Sequence, residues 1–221
     1  MTDLPEWTQR LRKRLVSGSE KPTWVPDAPN NARPAAVLVV LTGHDDPNVL
    51  LIERPATMRN HAGQIAFPGG AIDDTDADPQ AAALREAKEE IALDPASVTI
   101  LGELAPIWVA PSNFVVTPIV AWWHAPHLLA EHNPHEVARV LRPGLHTLAQ
   151  PETRLRVQLG NGRYGPAFDV DGTIVWGFTG GIVAMLLKLG GWEQPWDRSR
   201  TLSLQQLGVT SAPPTPEPPG S

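Results

Sequence analysis

The chain has 221 residues, of which 42% are hydrophobic and 19% are charged, and its formal net charge at pH 7 is −6. A chain of this length and composition can bury one core, so we expect a single domain. The negative charge argues against a general nucleic-acid-binding protein, because such proteins are normally basic. The sequence has no cysteine, which excludes disulfides, thiol catalysis and a Cys-ligated zinc site.

Two stretches decide what the sequence predicts about membranes. Met1 to Lys21 is polar and charged, unlike a signal peptide. The apolar stretch Gly180 to Leu189 is too short to span a bilayer. We therefore expect a cytoplasmic protein with no membrane partner.

The first predicted elements are a helix and two strands. In Trp7 to Val16, apolar and basic residues alternate with the spacing of an amphipathic helix, which favours packing on the domain over a basic arm for an acidic partner. After the loop Ser17 to Pro34, the apolar runs Ala35 to Thr42 and Val49 to Glu53 flank a turn-prone segment. We predict that these two runs pair as strands.

The next stretch, Arg54 to Gly70, carries cationic and donor groups ahead of an acidic segment. Arg54, Arg59 and His61 suit the binding of a phosphate chain, since a guanidinium can donate two hydrogen bonds to one phosphate. Each of them alone would be interpreted as a surface charge in a loop, so the prediction depends on their grouping.

A helix that carries chemistry is predicted over Gln80 to Leu93, with Asp78 as its N-cap and Pro79 at its first position. At 100° per residue, Glu86, Glu89 and Glu90 fall within an arc of roughly 100°, opposite the apolar residues. We expect one core face and one exposed carboxylate face. Because like charges at this spacing destabilise a helix, the cluster indicates a divalent cation, and oxygen ligands suit Mg²⁺ or Mn²⁺.

The remaining elements follow from apolar runs and turn residues. We predict strands over Val98 to Leu104, Val115 to Trp123, Val137 to Leu141 and Arg154 to Leu159, a turn over His146 to Pro151 and a helix over Gly180 to Leu189. Pro106 to Phe114 is predicted as a loop in which Trp108, Asn113 and Phe114 are candidates for contacting an adenine, although buried packing is the commoner fate of an aromatic residue.

The segment around the predicted acidic helix resembles the signature of the Nudix hydrolases, GX5EX7REUXEEXGU, in which U is a bulky aliphatic residue. Gly70 takes the place of the signature Gly, and the REUXEE core falls on Arg85, Glu86, Glu89 and Glu90. Three departures are a one-residue insertion before Arg85, Ala77 in place of the first Glu with Asp76 or Asp78 as substitutes, and Ala92 in place of the late Gly.

The preceding segment resembles the signature of the coenzyme A pyrophosphatase branch of that family, LLTXR(S/A)X3RX3GX3FPGG. The matching residues are Leu50, Leu51, Arg54, Arg59, Gly63, Phe67, Pro68, Gly69 and Gly70, whereas Ile52 and Pro55 depart from the pattern. The resemblance covers roughly residues 35 to 190.

This resemblance implies an α/β (α+β) fold, the Nudix-type α/β/α sandwich with a mixed β-sheet. The domain limits that we expect are 1–34 for an N-terminal helix and linker, 35–190 for the Nudix hydrolase domain, 191–210 for a C-terminal extension and 211–221 for a disordered Pro-rich tail. Homodimers occur in the family, and the sequence does not decide whether this chain forms one.

The resemblance also implies a site. Glu86, Glu89 and Glu90, with the Gly70 carbonyl, would bind Mg²⁺ or Mn²⁺, and Arg85 would orient Glu89. Glu89, Glu90 and Glu136 are the candidates for the general base. Substrate would contact Arg54, Arg59, His61 and Phe114.

The implied reaction is hydrolysis of the diphosphate bond of coenzyme A or acyl-CoA to 3′,5′-ADP and 4′-phosphopantetheine or its acyl derivative. Three alternatives stay open. One is a Nudix enzyme for another nucleoside diphosphate derivative or a damaged nucleotide, and another is a non-catalytic nucleotide-binding module. The third is a protein that binds a partner through its N-terminal helix or Pro-rich tail.

Overall fold

The computed structural model describes residues 4–17, 26–57, 63–129, 135–159 and 162–209. Its helices are Glu6–Ser17 (α1), Pro79–Ile91 (α2), Leu145–Ala149 (α3) and Gly177–Gly190 (α4), with a 3-10 turn at Pro95–Ser97. Its strands are Arg33–Thr42 (β1), Asn48–Val49 (β2), Leu51–Glu53 (β3), Ile65–Ala66 (β4), Gly69–Ala71 (β5), Val98–Glu103 (β6), Ile107–Val109 (β7), Phe114–Trp123 (β8), Arg139–Leu141 (β9), Arg154–Gln158 (β10), Tyr164–Val170 (β11), Thr173–Val175 (β12) and Thr201–Ser203 (β13). None of the helices in these ranges is long and apolar enough to cross a membrane.

The central sheet is mixed, with the order β2-β1-β8-β6. Its two long strands, β1 and β8, run parallel, whereas β6 runs antiparallel to β8. Near the N-terminal end of β1, β5 pairs antiparallel with it and places Gly70 opposite Ala36. The Gly-Gly pair of the sequence is therefore part of the sheet rather than of a free loop.

Helices cover both faces of this sheet because side chains alternate along its strands. On one face, Leu38 and Val40 of β1 share a core with Ala87 and Ile91 of α2. On the other face, Val39 and Leu41 share a core with apolar residues of α1 and α4. This arrangement confirms the predicted α/β/α sandwich with a mixed sheet.

Two smaller sheets complete the fold. One has the order β4-β3-β9, and the other has the order β12-β11-β10-β13. In the second, β13 pairs in parallel with β10, from Arg156 opposite Thr201 to Gln158 opposite Ser203. The residues after α4 thus contribute a strand to a sheet that begins before it.

Three predicted elements were wrong in detail. The run Val49 to Glu53 is not one strand, because β2 pairs with β1 while β3 pairs with β4 and β9. The segment Pro106 to Phe114 contains β7, which pairs with β8. The segment His146 to Pro151 overlaps α3, whose Leu145 and Leu148 are buried. In the last two cases, strand pairing or burial overrides a local turn signal, and in the first, two different sheets pair with the two parts of the run.

Candidate functional site

Helix α2 is defined by its two ends. The side chain of Asp78 accepts a 2.8 Å hydrogen bond from the backbone N–H of Ala81, which is the predicted N-cap, and Pro79 is the first helical residue. At the other end, Ala92 adopts the left-handed conformation (φ 53°, ψ 32°). Its backbone N–H donates to carbonyl oxygens of the last turn of α2. These ends fix which side chains of α2 face the sheet and which face β5.

Glu90 lies where α2 meets β5. Its side chain is buried, and Oε2 accepts a 2.9 Å hydrogen bond from the backbone N–H of Gly69. The Arg54 guanidinium lies 3.9 Å from Oε1. Burial raises the pKa of Glu90 to about 7, and the negative charges of Glu86 and Glu136 add to that shift. The expected exposed carboxylate face is therefore wrong for Glu90.

Glu86 lies one turn earlier on α2, directly over Gly70. A Cβ atom added to Gly70 would lie 2.6 Å from Oε1 of Glu86, so only glycine leaves room for this carboxylate. Burial is the main cause that raises the pKa of Glu86, and the negative charges of Glu89 and Glu136 act in the same direction. The negative charge of Glu136 raises the pKa of both Glu86 and Glu90.

Arg85 donates hydrogen bonds to three acidic side chains, those of Asp76, Glu86 and Glu89. Its Nε and Nη2 donate to the two carboxylate oxygens of Asp76 at 3.1 and 2.9 Å, and Nη2 also donates to the Ala71 carbonyl. Its Nη1 donates to Glu86 at 2.9 Å and to Glu89 at 3.5 Å. Glu89 is the most exposed of the three helix carboxylates, with 58% of its side chain accessible.

These contacts distinguish the two candidate substitutes for the missing signature Glu. Asp76 binds Arg85 with both oxygens, and hydrogen bonding from Arg85 lowers the pKa of Asp76. Asp78 caps α2 instead. The sequence signal that points to Asp76 is its position beside Ala77, but position alone did not separate it from Asp78.

The residues predicted to contact the substrate lie in different parts of the structure. Arg54 lies next to Glu90, as described above. The Phe114 ring, at the start of β8, lies beneath the Arg33 guanidinium, 4.2 Å from its centre, and Trp108 donates a hydrogen bond to Asn113. Arg33 was not identified from the sequence, because strand pairing brings it to Phe114. Arg59 and His61 lie outside the described residues.

The chemistry of this site suits a hard divalent cation, because the donors offered by α2 and β5 are carboxylate and carbonyl oxygens. Within the part of the chain that the structure describes, no three Asp, Glu or His side chains are already drawn together into a complete cation site. Glu86 and Glu89 are both held by Nη1 of Arg85. The guanidinium contacts one oxygen of each carboxylate and thereby orients it, which leaves the other oxygen of each for a cation.

A family model and several known proteins resemble this chain. A family model described as NUDIX domain matches residues 32–158. The chain is similar to a protein named uncharacterized Nudix hydrolase NudL from Cronobacter sakazakii, with 41% identity over 180 residues that cover 75% of this chain and 86% of that protein. The NudL protein of Escherichia coli K12 is 38% identical over 175 residues, which cover 72% of this chain and 84% of that protein.

Among solved structures, the chain is similar to a MutT/nudix family protein from Enterococcus faecalis. The TM-score is 0.46 at 14% sequence identity, and the alignment covers 79% of this chain and 64% of that one.

Proposed function

The chain belongs to the Nudix hydrolase family, and from that premise we propose that it hydrolyses the diphosphate bond of coenzyme A or an acyl-CoA. The products would be 3′,5′-ADP and 4′-phosphopantetheine or its acyl derivative. At the level of the family, the chain is a pyrophosphohydrolase that uses divalent metal ions. The proposal adds three points to this family-level activity: the coenzyme A substrate, the choice of Mg²⁺ or Mn²⁺, and a cytoplasmic location.

The observation that supports the proposal best is the placement of Glu86 against Gly70 and of Glu90 against Gly69. Both carboxylates are largely withdrawn from water, and the negative charge of Glu86 raises the pKa of Glu90. Nearby like charges in a desolvated site are unfavourable unless a cation neutralises them. A bound divalent cation would screen the phosphate charges and lower the pKa of an attacking water.

Residues of α2 and β5 would bind the cation, and acidic side chains would accept the proton of the attacking water. Glu86, Glu89 and Glu90, with the Gly70 carbonyl, would hold the cation, and Arg85 would position Glu86 and Glu89 through Nη1. Glu89, Glu90 and Glu136 are the candidates for accepting the proton of the attacking water. The pKa of Glu90 is about 7 in the cation-free protein, and a cation bound to this carboxylate would lower it.

We propose that the substrate is recognised next to Glu90 and at the start of strands β1 and β8. Arg54, 3.9 Å from Glu90, would place a guanidinium beside a phosphate held at the cation. Arg59 and His61 remain proposed phosphate contacts, as inferred from the sequence. Phe114 is proposed to contact the adenine, with Arg33 stacked on its ring.

The experiment is a comparison of substrates at equal concentration with Mg²⁺ or Mn²⁺. Coenzyme A, acetyl-CoA, NADH, ADP-ribose, diadenosine tetraphosphate and an oxidised dGTP are incubated with the protein, and products are separated by chromatography. We expect 3′,5′-ADP from coenzyme A or acetyl-CoA, with a kcat/KM well above those of the other compounds. A higher kcat/KM for any of the others, or hydrolysis of none, would overturn the coenzyme A proposal.

Two variants test whether the activity comes from this site. Glu89→Gln removes a proposed cation ligand from an accessible position, so turnover should fall at least about 100-fold while the fold is retained. Glu103→Gln makes the same change at an exposed residue of β6 and should retain activity. Equal activity of the two variants would remove Glu89 from the cation site.

A further inference from the structure

Buried hydrogen-bond donors without a partner are concentrated in one place, away from α2. Within the described ranges, five buried side-chain nitrogen atoms lack a hydrogen-bond partner. Four of them belong to three residues: Nε and Nη1 of Arg154, Nε of Arg156 and Nε1 of Trp196. Leaving a buried donor unpaired is unfavourable, so a group of four in one region calls for an explanation.

Arg154 is the centre of this group. Only 2% of its side chain is accessible, and its guanidinium lies between the rings of Phe168 and Trp196, 4.8 and 4.7 Å from their centres. The nearest carboxylate, that of Glu193, lies 3.8 Å from Nη2, beyond hydrogen-bond distance, and is 38% accessible. Burial lowers the pKa of Arg154, which indicates that Glu193 compensates the charge incompletely.

The neighbouring residues add donors and an opening. Arg154 and Arg156 are two positions apart on β10, so their side chains leave the same face of the strand. Arg198 lies 5.8 Å from the centre of the Trp196 ring, which Arg154 also contacts. A surface pocket of about 450 Å³ is lined by Glu193, Gln194, Pro195, Trp196 and Arg198. Two of these lining residues, Glu193 and Trp196, are the ones that contact Arg154.

We propose that Arg154, Arg156, Trp196 and Arg198 form a second ligand site, which binds the phosphoryl group of a small soluble molecule. All four unpaired atoms are donors, so the ligand must be an acceptor. A phosphoryl group offers at least three oxygens to Arg donors, whereas a carboxylate offers two. Because only 2% of the Arg154 side chain is accessible, the ligand has to enter through the pocket and displace Glu193, which a small molecule can do and a flat surface cannot. The site lies on β10 and the segment after α4, so it stands independently of the reaction at α2.

Glu193 gives this proposal a distinctive consequence. As the one carboxylate within 4 Å of the Arg154 guanidinium in the described part of the chain, it would be displaced when a phosphoryl group binds. Removing its charge should therefore tighten phosphate binding. Removing Arg154 or Arg198 should weaken it.

The test is calorimetric titration of the full chain with inorganic phosphate in EDTA, in a Glu89→Gln background that disables the α2 site. We expect one phosphate per chain. We also expect a Kd several-fold lower for Glu193→Gln, and more than about tenfold higher for Arg154→Met and Arg198→Gln. Arg10→Gln, on the exposed face of α1, makes the same charge change as Arg198→Gln and should leave the Kd unchanged. If Arg154→Met does not fold, the opposite changes in Kd expected for Glu193→Gln and Arg198→Gln still test whether phosphate binds at this site.

Several results would overturn the proposal. One is the absence of phosphate binding, which would mean that ordered water satisfies the four donors. Another is an equal Kd for all variants. Equal binding of acetate at matched ionic strength would reject the phosphoryl ligand, and tighter binding to vesicles containing phosphatidic acid than to free phosphate would reject a soluble one.

Discussion

The backbone N–H of Gly69 donates a 2.9 Å hydrogen bond to Oε2 of Glu90, 21 residues later in the chain. This contact ties the metal-binding face proposed for α2 to the edge of the central sheet. It also holds a carboxylate in a place where burial makes its ionised form unfavourable.

The raised pKa of Glu90 predicts how the stability of the cation-free protein depends on pH. The pKa is about 7 in the folded state against an ordinary value of 4.5, so the folded state binds the proton more tightly. The contribution of this group to the free energy of unfolding should therefore be constant below about pH 4.5, fall as the pH rises to about 7, and be constant above that. The full decline is on the order of 3 kcal/mol.

Denaturant unfolding in EDTA between pH 4.5 and 8 measures this decline. Glu90→Gln cannot ionise, so the difference between its unfolding free energy and that of the wild type isolates the contribution of Glu90. Parallel curves for the two proteins would contradict the prediction. Mg²⁺ binds the ionised carboxylate, and the stabilisation that it gives the wild type should therefore increase with pH over the same range.

Asp76→Asn tests the pairing with Arg85. The variant keeps the size of the side chain but removes the charge that receives two hydrogen bonds from the guanidinium, and Arg85 then holds Glu86 and Glu89 less firmly. We expect cation affinity and kcat/KM to fall about 10-fold to 100-fold, as is typical for residues that orient cation ligands. Asp74→Asn, at an exposed position of the same loop, is the matched control and should change neither. Equal effects would mean that only the charge of the loop matters.

Gly70→Ala tests the close approach of Glu86. The added methyl group would lie 2.6 Å from Oε1 of Glu86, and the flexible carboxylate rather than the backbone would move. The fold should be retained, and the Kd for Mn²⁺ should rise about 10-fold or more because a proposed ligand is displaced. At Gly165 of β11, the same substitution meets only Leu159 at an ordinary 3.7 Å and should have no effect on Mn²⁺ binding. An unchanged Kd for Gly70→Ala would remove Glu86 from the cation site.

Ala92→Gly tests the C-terminal end of α2. Ala92 has a positive φ of 53°, a conformation that costs an L-residue roughly 1 kcal/mol and costs glycine little. The substitution should raise the free energy of unfolding by up to about 1 kcal/mol. Ala81→Gly, in the first turn of the same helix, should lower it by a similar amount. A lower stability for both variants would show that the end of α2 is not strained.

The start of α2 is what the sequence predicted best. Helix α2 begins through local signals, namely Asp78 as its N-cap and Pro79 at its first position, and it ends at Ile91, within about two residues of the predicted Leu93. The same locality explains the correct placement of α1, whose apolar spacing lies within ten residues.

The errors come from contacts between distant residues. The burial of Glu90 depends on Gly69 and β5, which a helical projection does not include. Leu50 separates β2 from β3 because two different sheets take up the flanking residues. Similarly, Arg33 reaches Phe114 only through the parallel pairing of β1 and β8. In each case, the pairing partner lies outside the window in which a sequence pattern can be detected.

The parallel pairing of β13 with β10 has a consequence for self-association. β13 is three residues long, and it occupies the side of β10 that β11 leaves open. A chain that ended after α4 would present the backbone N–H and C=O groups of β10 at an unprotected sheet edge. Such an edge recruits strands from other copies of the chain. β13 replaces the five-residue edge of β10 by a three-residue edge, and very short edge strands are poor templates for pairing with another chain.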